Sequence, residues 1–405
     1  MKIMAFSTWE ELVPHADSWD RLAGGVPFRS WAWLSSWWRH YGPQAPCRAP
    51  CTDRLFQAAG RGQSGDPNTR LMVLGALDTS GRLAGIAPWY LAHSAAKGWV
   101  LRWLGSGEVC SDHASILCMP DDADRVTEAI ATYLTGSNCA SGARHCWDLL
   151  EVDGTDADDS SVTRLLRQLD ERGCAQHENT PIRSWRLALP KTWEEFLRLV
   201  SKCHREKLRQ ADRRFFQTGR AIMRTVETCE QLDPAMDVLI DLHQKRWQHL
   251  GKPGSFASPR FTAFHRDVAR RLLLAGQLQL QLLDLDGRTV AAGYQLASQG
   301  VTYVYQGGMD PQRLVAEPGH LITAATVKRA IEQGGRAIDF LRGDERYKAN
   351  FRATARPLLA LRVVPNRAVP RLRNRLWLAG RGVKRWLNQT SQRSEPNAEN
   401  LELRT

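Results

Sequence analysis

The sequence predicts an α/β (α+β) protein with two related halves, each a mixed sheet flanked by helices. From residue 221 onward, the apolar pattern gives the order strand, helix, helix, three meandering strands, helix, strand, strand. Two short motifs of the N-terminal part recur in the same order in the C-terminal part. A buried strand near residue 340 runs directly into a cluster of ionisable residues, and α/β proteins bind ligands at such strand ends.

The C-terminal half is predicted over residues 181–365. A helix over 192–217 begins with a capping box at Thr192 and Glu195. Ser258 and Pro259 are typical of the N-cap and first position of a second helix. The remaining predicted elements are strands at 183–190, 221–226, 277–284, 289–297, 301–307, 337–341 and 357–364, and helices at 231–250 and 318–333.

The N-terminal half is predicted over residues 1–180. Aromatic residues at 3–4 spacing favour a helix over 28–41, and Ser160 or Ser161 would cap a helix that ends at Arg172. Residues 44–69 have the composition of an insertion loop. The other predicted elements are a hairpin of 71–77 and 83–91, strands at 99–104 and 146–152, and a helix at 123–135.

Two internal matches support the duplication. Leu77-Asp-Thr-Ser-Gly-Arg82 resembles Leu283-Asp-Leu-Asp-Gly-Arg288, each at a predicted hairpin turn. Trp147-Asp-Leu-Leu150 resembles Ile338-Asp-Phe-Leu341, each in the strand after a helix. Hairpin turns often look alike, so the second match carries the greater weight.

The composition is that of a globular protein, with 43% hydrophobic and 24% charged residues among 405. The formal net charge is +12, and the basic residues concentrate at 201–220 and 366–390. This predicts an anionic partner: a nucleotide-bearing cofactor, a polyanionic substrate, a lipid surface or a nucleic acid.

The sequence disfavours several kinds of protein and of site. The sequence has no run of 18 apolar residues and no apolar signal core after Met1. Its nine cysteines form no CxxC pair, which favours reduced thiols in a cytoplasm. Cys47 and Cys51 have no second cysteine pair or nearby histidine that would complete a zinc site. No metal site is expected. Ser111-Asp112-His113 is not a catalytic triad, because adjacent side chains point apart.

Four strings carry a resemblance to a known family. The string Asp339-Phe-Leu-Arg-Gly-Asp-Glu-Arg-Tyr-Lys348 is the most specific, and the looser ones are Asp241-Leu-His-Gln-Lys-Arg-Trp247, Tyr303-Val-Tyr-Gln-Gly-Gly-Met-Asp310 and Pro318-Gly-His320. Together with the element order, they resemble GNAT acyltransferases of the CelD type, with a BioF2-like acetyltransferase domain. These are associated with cellulose and exopolysaccharide clusters and related to FemAB-like double-GNAT proteins. The likeness spans about residues 5–365, including the helix near Trp37 and the Ser111-Asp112 loop.

The resemblance implies acyl transfer, with an acetyl group as first choice, from acyl-CoA to an amine or hydroxyl acceptor. GNAT folds splay the fourth and fifth strands, so backbone groups near Tyr305, Gly307 and Gly308 would bind the thioester carbonyl. The pyrophosphate would lie at a helix N-terminus formed by Pro318, Gly319 and His320. The chain lacks the usual glycine-rich phosphate loop, so an aminoacyl-tRNA donor of the FemAB type and a non-catalytic binding module remain alternatives.

The predicted site residues follow from the same strings. Asp344 is the first choice for general base or substrate anchor, and Lys348, four residues on, would pair with it or bind an anionic substrate. His243 and Tyr305 complete the catalytic set. The predicted substrate contacts are Arg246, Arg342, Tyr347 and Asp112. Each of these residues also has a purely structural interpretation. Asp344 would be an exposed aspartate in a turn, His243 and Arg246 would take part in ion pairs on a helix surface, and the tyrosines would be packing residues.

Residues 366–405 are predicted to form a basic tail. Arg371, Arg373 and Arg375 alternate with apolar residues, which favours either an amphipathic helix on an anionic membrane or a solvated, half-docked tail. Gly380 and Gly382 weaken the helix, and 390–405 is expected to be disordered. The expected location is cytoplasmic, with membrane-peripheral contact through this tail, and nucleic acid is expected as a partner only as a tRNA donor.

Overall fold

A computed structural model describes residues 1–43, 68–140 and 142–393, and the side chains of 314 and 381–393 are left out of the description. Residues 44–67 of the predicted insertion loop at 44–69, the cysteines Cys47 and Cys51 and most of the segment expected to be disordered lie outside the described residues, and Thr69 already belongs to a strand. The strands are β1 (Lys2–Phe6), β2 (Thr69–Leu77), β3 (Leu83–Ser94), β4 (Gly98–Trp103), β5 (Leu117–Cys118), β6 (Leu149–Asp156), β7 (Ala175–Glu178), β8 (Ile182–Ala188), β9 (Ala221–Thr225), β10 (Leu278–Leu285), β11 (Arg288–Ser298), β12 (Val301–Met309), β13 (Ala337–Arg342) and β14 (Thr354–Val364).

The helices lie on both faces of the sheet and between its strands in sequence. They are α1 (Ala16–Leu22), α2 (Trp31–Tyr41), α3 (Ala123–Thr135), α4 (Ser160–Glu171), α5 (Trp193–Leu199), α6 (Lys202–Ala211), α7 (Cys229–His249), α8 (Pro259–Leu274), α9 (Pro318–Glu332), α10 (Arg346–Asn350) and α11 (Ala368–Arg393). A π-helical segment, Asp212–Phe216, extends α6. No helix of the described ranges is both long enough and apolar enough to cross a membrane.

The strands form one mixed sheet in the order β1-β2-β3-β4-β6-β14-β8-β13-β12-β11-β10-β9, with β5 beside β3 and β7 beside β14. The duplication predicted from two motifs is visible in this topology. Strands β1 to β4 form an antiparallel meander and β4 pairs with β6 in parallel. Strands β9 to β12 repeat the meander, and β12 pairs with β13 in parallel. The two predicted hairpin turns and the two strands after a helix occupy corresponding places.

The two halves also share a core. The aromatic helix α2 packs against α8, where the ring centroids of Trp33 and Phe264 lie 5.2 Å apart at a right angle. Arg39 and Asp267 form an ion pair of 2.9 Å across the same contact. The 3–4 spacing predicted that Phe28, Trp31, Leu34 and Trp38 share the buried face. Phe28 and Leu34 are buried, whereas Trp31 and Trp38 are only partly buried against the core, and Trp33 and Trp37 are buried in their place.

Local signals decide most helix boundaries, with two corrections. The capping box at Thr192 is present, but the helix predicted over 192–217 divides, because Val200 is extended and Ser201 caps a new helix through the N–H of His204. The cap of α4 is Asp159 rather than Ser160 or Ser161, and its carboxylate accepts from the N–H groups of Ser161 and Val162. Strand β1 and helix α10 are short elements that the sequence pattern does not reveal.

Candidate functional site

The candidate site is the gap that opens between β12 and β13. The two strands pair only from Val301 opposite Ala337 to Tyr303 opposite Asp339. Beyond that point β12 continues to Met309 along β11, whereas β13 pairs with β8 on its other side. Within the described part of the chain, the backbone of β12 after Tyr303 therefore has no strand partner on the side that faces β13, and its unpaired N–H and C=O groups border the gap.

A bulge at Tyr305 changes the course of β12 inside the gap. Tyr294 lies opposite Gln306 and Gln295 lies opposite Val304, so Tyr305 is the extra residue. Its hydroxyl donates to the carbonyl of Val109 at 2.7 Å and lies 3.2 Å from Nε2 of His265. Burial raises the pKa of Tyr305 well above its ordinary value, so the phenol stays protonated. The structure thus ties this predicted proton donor to the N-terminal half.

The other wall of the gap ends in a strained turn. Leu341 has φ +56°, a left-handed conformation that is rare for a large side chain. The register of β13 shifts between Asp339 and Arg342, and Oδ1 of Asp339 accepts from the N–H of Leu341 at 2.9 Å. Strain of this kind persists only where the surroundings fix it, and it concentrates at functional sites.

Lys348 is the residue that fixes this turn. Its side chain is 2% exposed, and Nζ donates to the carbonyls of Leu341, Arg342 and Gly343 at 3.3, 3.0 and 2.9 Å. Nζ also pairs with Glu345 at 2.8 Å. The expected partner of Lys348 was Asp344, and this expectation is wrong, because Glu345 begins α10 and lies one helical turn before Lys348.

Asp344 lies at the exposed rim of the gap. Its Oδ1 accepts from Nε1 of Trp185 at 3.2 Å, which orients the carboxylate without burying it. Beside it, Tyr347 packs edge-on against Phe340, with ring centroids 5.8 Å apart. Burial, together with the negative charge of Glu345, raises the pKa of Tyr347 to about 12.

Arg246 reaches the same rim from α7. Its positive charge acts on Tyr347 and opposes part of the rise in the pKa of that phenol. The structure therefore brings two of the predicted residues, Arg246 and Tyr347, within electrostatic range of each other, and Asp344 lies exposed in the turn three residues before Tyr347. A carboxylate, a phenol and a guanidinium at one opening can accept a proton, donate one and bind an anion.

His243 lies behind β12 rather than at the opening. Its side chain is fully buried, and burial lowers its pKa to about 4, so the imidazole is neutral near pH 7. Nδ1 lies 3.1 Å from the side-chain oxygen of Gln244. The helix comes close because Gly308 has no side chain, as a Cβ there would lie 2.4 Å from the backbone nitrogen of His243. This packing accounts for Gly308, while Gly307 is partly exposed along the gap.

Arg342 and Asp112, both predicted as substrate contacts, bind each other. The backbone N–H of Arg342 donates to Oδ2 of Asp112 at 2.8 Å, and the guanidinium forms an ion pair with the other carboxylate oxygen. A second carboxylate, Asp153, lies 3.4 Å from the guanidinium. Burial raises the pKa of Asp112, and the charge of Arg342 opposes that rise. This bond joins the two halves at the gap.

His113 forms a second bond between the halves, which the sequence reasoning missed. Nδ1 lies 2.8 Å from Asp156 on β6, and Nε2 lies 3.3 Å from Asp339 on β13. Burial disfavours the imidazolium, but hydrogen bonds and charges of the two carboxylates outweigh it and raise the pKa to about 10. Ser111, Asp112 and His113 therefore have three separate sets of partners, since Ser111 accepts from Nε1 of Trp33 at 2.8 Å.

The start of α9 borders the polar turn through Phe351. His320 lies 5.7 Å from the ring of Phe351, which directly follows α10, and 5.2 Å from the ring of His204. Burial lowers the pKa of His320 to about 4. Pro318 has no N–H, and the N–H groups of His320 and Leu321 both donate to the carbonyl of Glu317.

A depression of about 320 Å³ lies beyond the open end of β12. The residues that line it come from the last turns of α7 and the segment after β12: Lys245, Gln248, His249, Asp310, Pro311 and Gln312. Lys245 also pairs with Asp241 at 2.6 Å. The described residues hold no group of three or more histidine, cysteine, aspartate or glutamate side chains suited to a metal ion.

Residues 202–349 match the model of the acetyltransferase (GNAT) domain. The chain has a GNAT-type fold. Among solved structures, FemX superimposes with a TM-score of 0.60 at 11% identity, covering 90% of this chain and 98% of that one. A conserved protein of unknown function from Bacteroides thetaiotaomicron VPI-5482 gives a TM-score of 0.54 at 12% identity, covering 89% and 100%. No curated protein sequence matches the chain.

These likenesses confirm the predicted fold class. The GNAT-type domain model covers the splayed strands β12 and β13 and ends one residue after Lys348. The structural likeness extends the fold over both halves, in agreement with the duplicated sheet topology. At these identities the similarity concerns the fold, and the CelD-type assignment stays a prediction.

Proposed function

We propose that the protein is an acyltransferase that moves an acyl group, with acetyl as the first choice, from acyl-CoA to an amine or hydroxyl acceptor. One observation carries the proposal: the edge of β12 after Tyr303 is unpaired where it faces the gap below Asp344 and Tyr347. An edge of this kind presents fixed N–H groups to a thioester carbonyl, which can stabilise the oxyanion of the transition state.

The thioester end of the donor fits the gap better than the pyrophosphate fits the start of α9. Of the first residues of that helix, Gly319 retains an N–H that is not bonded to Glu317, and the carboxylate of Glu317 pairs with Lys207 at 2.7 Å beside it. A negative side chain and few free donors make a weak anion site. The depression lined by Lys245 is the other place for the phosphates, although the ammonium of Lys245 is shared there with Asp241.

The residues at the mouth of the gap supply the proton transfers. The acceptor nitrogen or oxygen forms a bond to the acyl carbon, and its proton passes to the carboxylate of Asp344. The bond from that carbon to sulfur breaks, and the thiolate takes the phenolic proton of Tyr347. Solvent then returns a proton to Tyr347 and removes one from Asp344, so the protein is unchanged after each cycle.

The guanidinium of Arg246 suits an acceptor with a negative or polyhydroxyl group, because it lies at the rim with Tyr347 and is not bound to a carboxylate in any described contact. The guanidinium of Arg342 is not available to an acceptor in the same way, since it forms ion pairs with Asp112 and Asp153. In line with the CelD-type resemblance, we propose an acceptor from polysaccharide or envelope biosynthesis.

Thiol release from acetyl-CoA, measured with a panel of amine and hydroxyl acceptors, tests the proposal. Asp344→Asn and Tyr347→Phe should each lower turnover by about 10²-fold or more while thermal unfolding changes little. Asp158→Asn, an exposed aspartate outside the gap, is the matched control. Full turnover in Asp344→Asn would remove that carboxylate from the mechanism.

Donor binding is tested separately by thermal unfolding with and without acetyl-CoA, because a ligand of the folded state raises the midpoint. If no acyl-CoA raises the midpoint and none releases thiol, the proposal is wrong and a non-catalytic binding module is favoured instead.

An aminoacyl-tRNA donor is the second candidate, and the basic residues of α6 and the π-helical segment favour it. Several of these cations are already paired: Lys207 with Glu317 at 2.7 Å, Arg213 with Glu206 at 2.9 Å and Arg209 with Glu194 at 3.8 Å. Pairing reduces the positive potential available to a phosphate backbone. Salt-dependent binding of tRNA that Lys202→Glu and Arg205→Glu weaken would favour this donor over acyl-CoA.

A further inference from the structure

One face of α11 docks on the N-terminal half. Nη1 of Arg373 pairs with Asp148 at 2.9 Å, and Asn374 is 6% exposed. One turn further on, the guanidinium of Arg362 on β14 lies 3.7 Å from the ring centre of Trp377. These contacts fix the rotation of the helix about its axis. The helix continues through the glycines at 380 and 382.

A different face of the helix carries an exposed apolar stripe. Val369, Leu372 and Leu376 are 57, 59 and 66% exposed, and their spacing of three and four residues places them on one side of the helix. In the sequence, the same spacing continues through Ala379 and Val383. A stripe of this length on a helix already fixed by its other face is suited to a flat apolar boundary.

The charge of α11 determines what kind of boundary fits. The helix carries seven arginine and lysine residues and no acidic residue. At 100° per residue, Arg371 and Arg375 flank the stripe on one side and Arg373 flanks it on the other. Arg373 is held by Asp148 and Arg371 donates to the carbonyl of Gly173 at 2.9 Å, so Arg375 is the flanking cation that no described contact binds. A second copy of the same helix would place like charges side by side and be repelled, whereas anionic lipid headgroups match both the stripe and its flanks.

We propose that α11 lies on an anionic membrane surface, with Val369, Leu372 and Leu376 in the headgroup and acyl boundary and the exposed Arg375 beside them against lipid phosphates. The proposal is independent of acyl transfer. It makes the protein peripheral to a membrane through a helix that its own fold has already oriented.

The test is sedimentation of the full chain with vesicles of equal parts phosphatidylglycerol and phosphatidylcholine, compared with vesicles of phosphatidylcholine alone. The protein should bind the anionic vesicles, and binding should weaken as salt rises. Leu372→Asp combined with Leu376→Asp should lower the partition coefficient by at least about tenfold, because charged groups oppose insertion into the boundary. Leu274→Asp, an equally exposed leucine at the end of α8, is the matched control and should bind like the wild type.

Other results would overturn the proposal. Equal binding to both kinds of vesicle would refute the role of charge, and no binding to either would refute the membrane contact. A dimer in solution that the double variant abolishes, without vesicle binding, would make the stripe an interface between copies. The thermal midpoint of each variant confirms that it is folded. Thiol release with a soluble acceptor should be unchanged, which separates this result from the proposed function.

Discussion

Replacing His113 with glutamine tests the ionic bond between the halves. The imidazolium is held between Asp156 at 2.8 Å and Asp339 at 3.3 Å, with a pKa of about 10 in the folded protein against about 6.5 in the unfolded chain. Because the folded pKa is raised, the stabilisation is fully present below about pH 6.5 and is lost as pH rises through about 10.

The magnitude follows from proton linkage. Between about pH 7.5 and 9, the folded state holds one proton at this site and the unfolded state holds almost none. The free energy of unfolding should therefore fall by about 1.4 kcal/mol per pH unit from this group alone. At pH 6, where the imidazolium is complete, His113→Gln leaves two carboxylates facing each other and should cost about 3–5 kcal/mol.

Urea unfolding followed by tryptophan fluorescence at a series of pH values measures both quantities. The other groups that act on these three side chains include Asp112, Tyr303, Arg29 and Arg356, and all are present in wild type and variant alike. The difference between the two proteins isolates the imidazole, and His93→Gln, at an exposed histidine, is the control. Parallel pH curves for the wild type and His113→Gln would refute the reasoning.

Four further outcomes are expected. Lys348→Met should lower the free energy of unfolding by roughly 3 kcal/mol, because three buried carbonyls lose their donor; an unchanged urea midpoint would contradict this. Gly308→Ala should cost about 1–3 kcal/mol, since its Cβ meets the backbone of α7 at 2.4 Å. Gly319→Ala meets only the flexible end of Met309 at 2.7 Å and should be nearly neutral in the same thermal unfolding assay. Burial lowers the pKa values of His243 and His320 to about 4. As pH falls from about 6.5 to 4, each should therefore lower the free energy of unfolding by up to about 1.4 kcal/mol per pH unit. In urea unfolding at a series of pH values, His320→Gln should lose less stability over this range than the wild type.

The strands and most helices follow from local signals that the sequence carries openly. The hairpin of β10 and β11 turns at Asp286 and Gly287, both with positive φ, and Ser258 with Pro259 opens α8. The Thr192 capping box is likewise present. The split at Val200 was missed because Ser201 competes as a cap inside an otherwise helical pattern, and propensity alone does not show which cap prevails.

The predicted site is reached only in part by the same reasoning. The strand over 337–341 and the polar turn after it were foreseen, and Arg246 lies within electrostatic range of Tyr347. The four-residue spacing predicted that Lys348 would face Asp344. In the structure, its ammonium pairs instead with Glu345, three residues earlier, and donates to three backbone carbonyls. His113 gave no signal, because its partners lie 43 residues and 226 residues away in the chain.

The sequence by itself determined what short-range physics encodes: the order of strands and helices, the duplicated unit, and the polar turn that follows a buried strand. The tertiary structure alone decided which polar groups neutralise one another across the two halves. Arg342 with Asp112 and His113 with Asp339 are the clearest cases. Electrostatic attraction acts between groups that are near in space, and closeness between distant positions of the chain is set by how the two halves join in one sheet. The same reason applies to α11. The sequence shows its alternation of basic and apolar residues, but the ion pair between Arg373 and Asp148, which belongs to the tertiary structure, decides which face is exposed.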